Sequence, residues 1–174
     1  WREKDTVILT ADEMILTTAT TTQKIWLKAG DYPKIEVSNG TRKRKNLYGF
    51  LNIHTGTQHV WKTDKQNMHV TVAILKKIRK QYPHNKIALF WDSAGWHKGS
   101  AVQEFIKEDK NIIVIHFPRY APELNPQEHV WKKGRSHCTH NKFIENIDTA
   151  TDEFVKYLRK TTFTYSLLGF SAVS

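Results

Sequence analysis

Two short runs of consecutive apolar residues mark the C-terminal half of the sequence. Ile87 to Trp91 form the first run and Ile112 to Ile115 the second, and a helical pattern over about residues 99–109 separates them. Short apolar runs rich in large side chains indicate strands that are buried on both faces. The order strand–helix–strand predicts that these two strands are parallel and joined by a right-handed crossover.

The N-terminal part of the chain shows strand patterns with no helical pattern between them. β-Branched and apolar residues predict strands at Thr6–Asp12, Gln23–Leu27 and Asn46–His54. A further strand pattern at Thr57–Trp61, after a turn at Gly56, could extend this series. Antiparallel strands are therefore expected ahead of the parallel pair, because no helices connect them.

Apolar residues at helical spacing predict helices at Asn67–Tyr82, at about 99–109, from Pro126 onwards and at about 146–160. Combined with the strands, this order predicts an α/β fold. Its mixed five-stranded sheet has three antiparallel strands plus two parallel strands and is flanked by helices. No internal repeat or long linker interrupts the pattern, so we expect residues 1–174 to form a single domain.

Two carboxylates fall at positions where such a fold could use them. Asp92 directly follows the first apolar run, and the carboxyl ends of parallel strands are where ligands bind in open α/β sheets. Asn125 and Pro126 are typical of a helix start, which places Glu128 in the first turn. Taken alone, Glu128 is more simply a capping residue that bonds back to the amide of Asn125.

Asp12 and Glu13 are candidate acids at the end of the first strand. Neighbours in a strand point to opposite faces, so only one of them can share a site with Asp92. Both could instead be solvated residues at a strand end. Carboxylates that converge repel one another and raise each other's pKa, a conflict that a hard divalent cation such as Mg²⁺ or Mn²⁺ relieves.

Two longer segments carry a family resemblance. Leu89–Lys98 reads LFWDSAGWHK, and Tyr120–Glu128 reads YAPELNPQE. Both resemble the catalytic core of DDE transposases, most closely the mariner superfamily in its bacterial insertion-sequence branch. Val7–Glu13 resembles the family's first catalytic strand and Lys24–Gly30 its second. The family often has Asn where this chain has Ser93, whereas the preceding carboxylate is retained.

The resemblance implies a ribonuclease H-like fold and a metal-dependent catalytic site. It selects Asp12 over Glu13 and makes Asp12, Asp92 and Glu128 the catalytic residues. The same three carboxylates would be ligands of two Mg²⁺ or Mn²⁺ ions, with Asp92 bridging both. Water attack would then nick DNA at a transposon end, and attack by the freed 3′-hydroxyl would join that end to target DNA at TA dinucleotides.

The resemblance also implies partners and a wider protein. We expect double-stranded DNA, both transposon ends and target, to be the substrate, and the protein to act as a homodimer in the DNA complex. Relatives carry helix-turn-helix modules ahead of this domain, and no such module is visible in residues 1–174. The expected location is the bacterial cytoplasm, with nucleoid association when the protein is bound to DNA.

The charge of the chain agrees with a polyanionic partner. Lysines and arginines outnumber acids by 27 to 17, which gives a net charge of +10 over 174 residues. The single cysteine, Cys138, excludes an internal disulfide and fits a reducing compartment. No apolar run approaches the length of a membrane span, so no membrane partner is expected.

Basic side chains near the predicted site are candidates for phosphate contacts. The candidate DNA-binding residues are Arg42, Lys43, Arg44, Lys45, His97, Lys98, Arg119, Lys132, Lys133 and Arg135. His97 could equally be a packing or surface histidine. A zinc site is a weaker alternative, because the spacing of the neighbouring residues matches no standard zinc pattern; they are His129, His137, Cys138 and His140.

Two rival functions stay open at this point. The chain could be a nucleic-acid-binding remnant of a transposase without catalytic activity, although the presence of all three acids counts against that interpretation. It could also be a ribonuclease H-like nuclease that cuts DNA without joining it. Strand-transfer products would separate the last case from a transposase.

Overall fold

The computed structural model describes residues 5–37, 41–118 and 121–165. One sheet of five strands has the order β3-β2-β1-β4-β5. Strands β1, β2 and β3 pair antiparallel, whereas β4 lies parallel to both β1 and β5. The predicted mixed sheet of three antiparallel and two parallel strands is thus confirmed. The strands are β1 Thr6–Thr17, β2 Arg44–Asn52, β3 Gln58–Thr63, β4 Lys86–Trp91 and β5 Ile112–His116.

Four α-helices lie in the described part of the chain, and the predicted helices are confirmed to within one or two residues. Two of them begin at asparagines, Asn67 and Asn146, whose side chains each accept hydrogen bonds from two backbone amides. None of the helices described is long and apolar enough to cross a bilayer. The helices are α1 Met68–Gln81, α2 Ser100–Glu108, α3 Pro126–Cys138 and α4 Ile147–Lys160.

The two faces of the sheet carry separate hydrophobic cores. Even-numbered residues of β1, such as Ile8, belong to the core beneath α3 and α4. Odd-numbered residues, such as Leu9, belong to the core beneath α1 and α2. Successive strand residues point to opposite faces, so Asp12 meets α3 while Glu13 faces the α1–α2 side.

The predicted second strand at Gln23–Leu27 is wrong, and so is the likeness of Lys24–Gly30 to a second catalytic strand. Apart from an isolated bridge at Thr21, residues 18–37 form an irregular connection. Trp26 in this connection is fully exposed. The segment has the composition of a strand, but both edges of β1 are already paired, with β2 and β4. Strand β2 is therefore the second antiparallel strand, and β1 continues to Thr17.

Strand β5 is less buried than its apolar sequence predicts. It is the last strand of the sheet and pairs with β4 along one edge only. Of its residues only Ile112 is buried, and Ile113 is 54% exposed. The predicted parallel pairing through helix α2 is confirmed, whereas the prediction of burial on both faces is wrong for this strand.

Candidate active site

Asp12 and Asp92 lie beside each other because of the pairing between β1 and β4. These strands are parallel, with Thr10 opposite Phe90, so two further residues along each strand reach Asp12 and Asp92. Both side chains line one cavity of about 390 Å³. The cavity lies at the carboxyl end of β4, which is the position expected for a ligand site in such a sheet.

Helix α3 brings Glu128 to the same cavity. The side chain of Asn125 accepts a hydrogen bond from the amide of Gln127 (3.1 Å), and Pro126 occupies the first helical position. The amide group of the same Asn125 side chain donates to the carbonyl oxygen of Ala11 in β1 (3.1 Å). One buried asparagine thus starts the helix and also attaches it to the strand that carries Asp12.

The simple capping interpretation of Glu128 does not describe the structure. A capping box needs the glutamate to accept from the backbone N–H of Asn125. That N–H instead donates to the carbonyl oxygen of Pro122 (2.9 Å). Glu128 is exposed and faces the cavity that it shares with Asp12 and Asp92.

Trp131 is a residue of this site that the sequence did not reveal as functional. It lies one turn after Glu128, and its indole N–H donates to Oδ2 of Asp12 (3.0 Å). Gly49 lies opposite Asp12 in the β1–β2 pairing. A methyl group there would lie 2.4 Å from the Trp131 ring, so glycine is what lets α3 approach the sheet this closely. The sequence pattern only placed Trp131 on the helix that begins at Pro126.

The electrostatics of Asp12 favour a cation in the cavity. Burial, and after it the charges of the nearby Glu128, Glu13 and Asp92 carboxylates, together raise the pKa of Asp12 from 3.8 to about 8. The partner of Asp12, the Trp131 indole, is a neutral donor and brings no positive charge. An oxygen-only set of three carboxylates is the kind of site that Mg²⁺ or Mn²⁺ occupies. The residues present therefore fit a divalent metal.

Asp92 has different surroundings from Asp12. Burial alone would raise its pKa, but hydrogen bonds from His97 and from the Ala94 amide, with the charge of His97, lower the pKa below 3.8. His97 is 2% exposed and contacts Oδ1 of Asp92 at 2.8 Å and Oε1 of Glu13 at 2.9 Å. Burial opposes protonation of His97, yet the two carboxylates raise its pKa to about 9.

His97 needs a correction as a candidate DNA contact. Its ring is buried against Trp91, with 3.6 Å between ring centroids, and both ring nitrogens already contact carboxylates. A DNA phosphate cannot reach those nitrogens in this arrangement. The sequence placed His97 five residues after Asp92 in polar surroundings, but it contained no sign that Glu13 would approach from the other strand.

The remaining candidate DNA-binding residues fall in three places. Arg42, Lys43 and Arg44 are exposed at and before the start of β2, and neighbouring Lys45 forms an ion pair with Asp148 of α4 (2.7 Å). Lys98 is exposed, next to the buried His97 in the sequence. Arg119 lies outside the described residues. On α3, Lys132 and Lys133 are exposed and Arg135 is half-buried.

A second cavity of about 410 Å³ is lined in part by α3, the helix that carries Glu128. Lys132 and Lys133 line it, together with polar and aromatic side chains from three segments of the chain. These are Thr22, Gln23, His129, Ser136, His140 and Tyr165. Its lining is basic and it adjoins the helix that carries Glu128, so it has the character of a phosphate-contacting surface.

The zinc alternative is not supported among the described residues. One group there has three His, Cys, Asp or Glu ligand atoms within 4.8 Å of one another, and it consists of Glu13, Asp92 and His97. Neither Cys138 with its neighbouring histidines nor the set Asp12, Asp92 and Glu128 forms such a group there, although the three acids line one cavity.

A ribonuclease H-like sheet that carries one acid within β1 and one directly after the adjacent strand β4, with a third on a helix beside them, defines a class of nucleic-acid-processing domains. The sequence model for the DDE superfamily endonuclease family matches residues 7–151. The chain therefore belongs to this family, and the predicted relationship to mariner and insertion-sequence transposases is confirmed.

Related proteins and structures agree with this assignment. An uncharacterized 39 kDa protein of insertion element IS630 from Shigella sonnei is 26% identical over 117 residues, which cover 67% of this chain and 34% of that protein. The Mos1 mariner paired-end complex with Mn has a TM-score of 0.66 at 14% identity, over 89% of this chain and 48% of that one. The corresponding complex with Mg has a TM-score of 0.62 at 16% identity, over 87% and 48%. The chain thus spans half or less of these proteins.

Proposed function

We propose that this chain is the catalytic domain of a DDE transposase, which cleaves DNA at transposon ends and joins the freed ends to target DNA. The observation that carries the proposal is the convergence of Asp12, Asp92 and Glu128 on one cavity. Residues 1–174 would act as a single catalytic domain. By its resemblance to the mariner superfamily, the protein would work as a homodimer, insert at TA dinucleotides and act on DNA in the bacterial cytoplasm.

The three carboxylates would hold two divalent ions, by the same resemblance. Bound Mg²⁺ or Mn²⁺ would supply activation of the attacking oxygen and stabilisation of the leaving oxygen in an in-line displacement. The protein's own contribution is to orient the carboxylates. Trp131 holds Oδ2 of Asp12, His97 and the Ala94 amide hold Oδ1 of Asp92, and Asn125 attaches the start of α3 to β1.

DNA would reach this cavity along the basic side of α3. Lys132 and Lys133 are exposed one turn beyond Glu128 and line the adjoining cavity. Lys98 lies near Asp92 in sequence and is exposed as well. The cluster Arg42 to Arg44 would contact DNA farther from the acids, since Arg44 pairs with Thr17, five residues along β1 from Asp12. A structure similar to this chain is the Mos1 transposase paired-end complex with the left transposon end, which supports DNA as the ligand.

Cleavage of an end-bearing DNA duplex tests the proposal. With Mg²⁺ or Mn²⁺ we expect nicks at the transposon end and strand-transfer products, and with excess EDTA we expect neither. Asp92→Asn keeps the shape of the side chain but removes its charge. We expect it to lower the cleavage rate by more than about 100-fold, or about 2.7 kcal/mol, while folding and DNA binding are kept.

Glu123→Gln is the matched control for this experiment. Glu123 is exposed in the same proline-rich loop as Asn125 and does not line the cavity of the three acids. Equal losses in the two variants, or full cleavage in EDTA, would contradict the assignment. Nicks without strand-transfer products would favour a nuclease that does not join, and insertion junctions without flanking TA duplications would exclude the TA rule.

A further inference from the structure

The acid that the cavity does not use, Glu13, is built into the opposite face of the sheet with a specific partner. Its side chain is 5% exposed, and Oε1 lies 2.9 Å from Nε2 of His97. The other ring nitrogen, Nδ1, lies 2.8 Å from Oδ1 of Asp92. A continuous chain of side chains therefore runs from Glu13 on β1, through the buried imidazole, to the carboxylate at the end of β4.

The contacts of Asp92 are unequally shared between its two oxygens. Oδ1 accepts from the Ala94 amide (3.0 Å) and contacts Nδ1 of His97 (2.8 Å). Among the described residues both contacts fall on the same oxygen, so Oδ2 is the oxygen left for a ligand in the cavity. Two contacts on one oxygen also restrict rotation of the carboxylate about its Cβ–Cγ bond.

The imidazole itself is held on several sides. It packs on the Trp91 ring, with 3.6 Å between centroids, and Trp96 contacts it edge-on at 5.7 Å. Glu13 fixes the nitrogen that Asp92 does not use. A ring that cannot turn can hold Asp92 in one orientation. Partners of this kind behind a metal ligand tune the affinity for the metal by about 10- to 100-fold.

We propose that His97 is a positioning residue that turns Oδ2 of Asp92 towards the metal and DNA cavity, and that Glu13 holds His97 in place for this task. The inference rests on the proposed function, because it assumes that Asp92 binds metal. The proposal gives both consecutive acids of β1 a role. Asp12 lines the cavity directly, and Glu13 supports Asp92 from the opposite face of the sheet through His97.

The same three side chains do not form a metal site of their own. A metal ion binds one nitrogen of an imidazole, whereas here each carboxylate contacts a different ring nitrogen. One ligand atom from each residue does lie within 4.8 Å of the others, but both ring nitrogens are taken up by direct contacts with the carboxylates, so an ion would have to displace one of these contacts to bind the imidazole.

Binding of Mn²⁺ to the metal-free chain, measured by calorimetry without DNA, tests the proposal independently of activity. We expect His97→Leu, which removes both contacts, to weaken Mn²⁺ binding by about 10- to 100-fold. His97→Gln retains one N–H donor and should recover part of that loss. Glu13→Gln leaves the Asp92–His97 contact in place and should weaken binding by a smaller factor. Cleavage should need correspondingly more Mg²⁺ for its half-maximal rate.

His116→Gln is the matched control, because His116 is exposed and contacts the backbone carbonyl of Asp92 (2.9 Å) rather than its carboxylate. We expect its Mn²⁺ affinity to stay within about twofold of the wild type, well short of the effect of a metal ligand's partner. Thermal melting shows whether each variant is folded, and Glu13→Gln keeps the test valid should His97→Leu fail to fold.

The outcomes separate this inference from the proposed function. A wild-type chain that neither binds Mn²⁺ nor cleaves DNA would remove the proposed function. A wild-type chain that does both, with unchanged Mn²⁺ affinity in the His97 and Glu13 variants, would overturn the positioning role alone. Reduced thermal stability without a change in Mn²⁺ affinity would likewise overturn it, since that pattern describes a purely structural histidine.

Discussion

The two faces of the sheet treat two adjacent carboxylates in opposite ways. Asp12 points to the α3–α4 face, where its partner is the neutral indole of Trp131 and its neighbours are further acids. Glu13 points to the α1–α2 face, where burial raises its pKa but the hydrogen bond from His97 works against that rise. One face leaves a buried negative charge without compensation, and the other provides a cationic partner.

This difference indicates which of the two acids is better suited to bind a metal ion. Glu13 has His97 as its counter-charge and does not line the cavity, so an ion in the cavity gains little from it. Asp92 shares His97, but its side chain is 49% exposed and lines the cavity, so it is still accessible to an ion. A buried carboxylate that faces other acids has an unfavourable environment until a cation arrives. The comparison therefore supports the proposal that Asp12, rather than Glu13, binds the metal, on physical grounds that do not depend on the family resemblance.

The largest change in stability is expected from Gly49→Ala, which tests the packing of α3 against the sheet. The added methyl would lie 2.4 Å from Cη2 of Trp131 and 2.5 Å from Nε2 of Gln127, and both side chains are buried. Overpacking of this kind costs about 1–3 kcal/mol. We expect the free energy of unfolding, measured with urea, to fall by about 3 kcal/mol. Cleavage should fall as well, because displacement of Trp131 releases Asp12.

Gly95→Ala is the matched control on the other face of the sheet. Gly95 lies in the short helical turn Gly95–Lys98, and a methyl group there would have no atom within 4 Å. We expect its stability to change by no more than about 0.5 kcal/mol. A Gly49→Ala chain as stable as the wild type would mean that α3 does not press on β2 as closely as described.

Local sequence signals were enough to predict the α3 side of the site. Asn125 and Pro126 specify the start of a helix wherever they stand together after a loop, so the position of Glu128 followed from nearest neighbours. The end of an apolar run similarly located Asp92. Period-two alternation showed that the side chains of Asp12 and Glu13 must point to opposite faces of the sheet. Only the family resemblance predicted which of the two shares a site with Asp92.

The features that sequence reasoning missed all depend on pairing between distant segments. Glu13 meets His97 only because β1 pairs with β4 in one register, and Trp131 meets Asp12 only because Gly49 admits α3. The prediction of a strand at Gln23–Leu27 was wrong for a related reason. Its composition suits a strand, but strand formation also needs a free sheet edge, and no local pattern reveals which edges are taken.

The pH dependence of the free energy of unfolding tests the comparison between the two faces, with an expected effect of intermediate size. The pKa of Asp12 in the folded chain, about 8, lies above its ordinary value of 3.8. The folded state therefore binds more protons than the unfolded state between these values, and the free energy of unfolding falls as pH rises. From about pH 5 to about pH 8 in EDTA, we expect a fall of at least about 1.4 kcal/mol, the equivalent of one pKa unit.

Asp12→Asn should remove this part of the fall, and Mg²⁺ added to the wild type should restore stability at the higher pH. Urea unfolding at both pH values, with EDTA or with Mg²⁺, measures the two effects. Glu123→Gln should keep the wild-type dependence because Glu123 is exposed. A pH dependence that is the same in Asp12→Asn and in the wild type would place the titrating group elsewhere.

The smallest expected effect compares lysine pairs on the two faces of the sheet. Lys132 and Lys133 are exposed on α3, beside the cavity of the acids, whereas Lys76 and Lys77 are exposed on α1, on the opposite side. Replacing either pair by alanine removes the same charge. If DNA lies along α3, only the first replacement should remove phosphate contacts. For each phosphate that is no longer neutralised, the negative slope of log affinity against log salt becomes shallower by about 0.9.

We therefore expect Lys132→Ala with Lys133→Ala to reduce the magnitude of that slope by up to about 1.8, the value for two phosphates, and to weaken binding at low salt. Lys76→Ala with Lys77→Ala should leave the slope unchanged, because a reduction in net charge away from the DNA removes no phosphate contact. Fluorescence anisotropy with a labelled duplex over a series of salt concentrations measures both. Equal changes for the two pairs would mean that DNA is attracted by the overall charge of +10, with no preference for the face that carries Asp12 and Glu128.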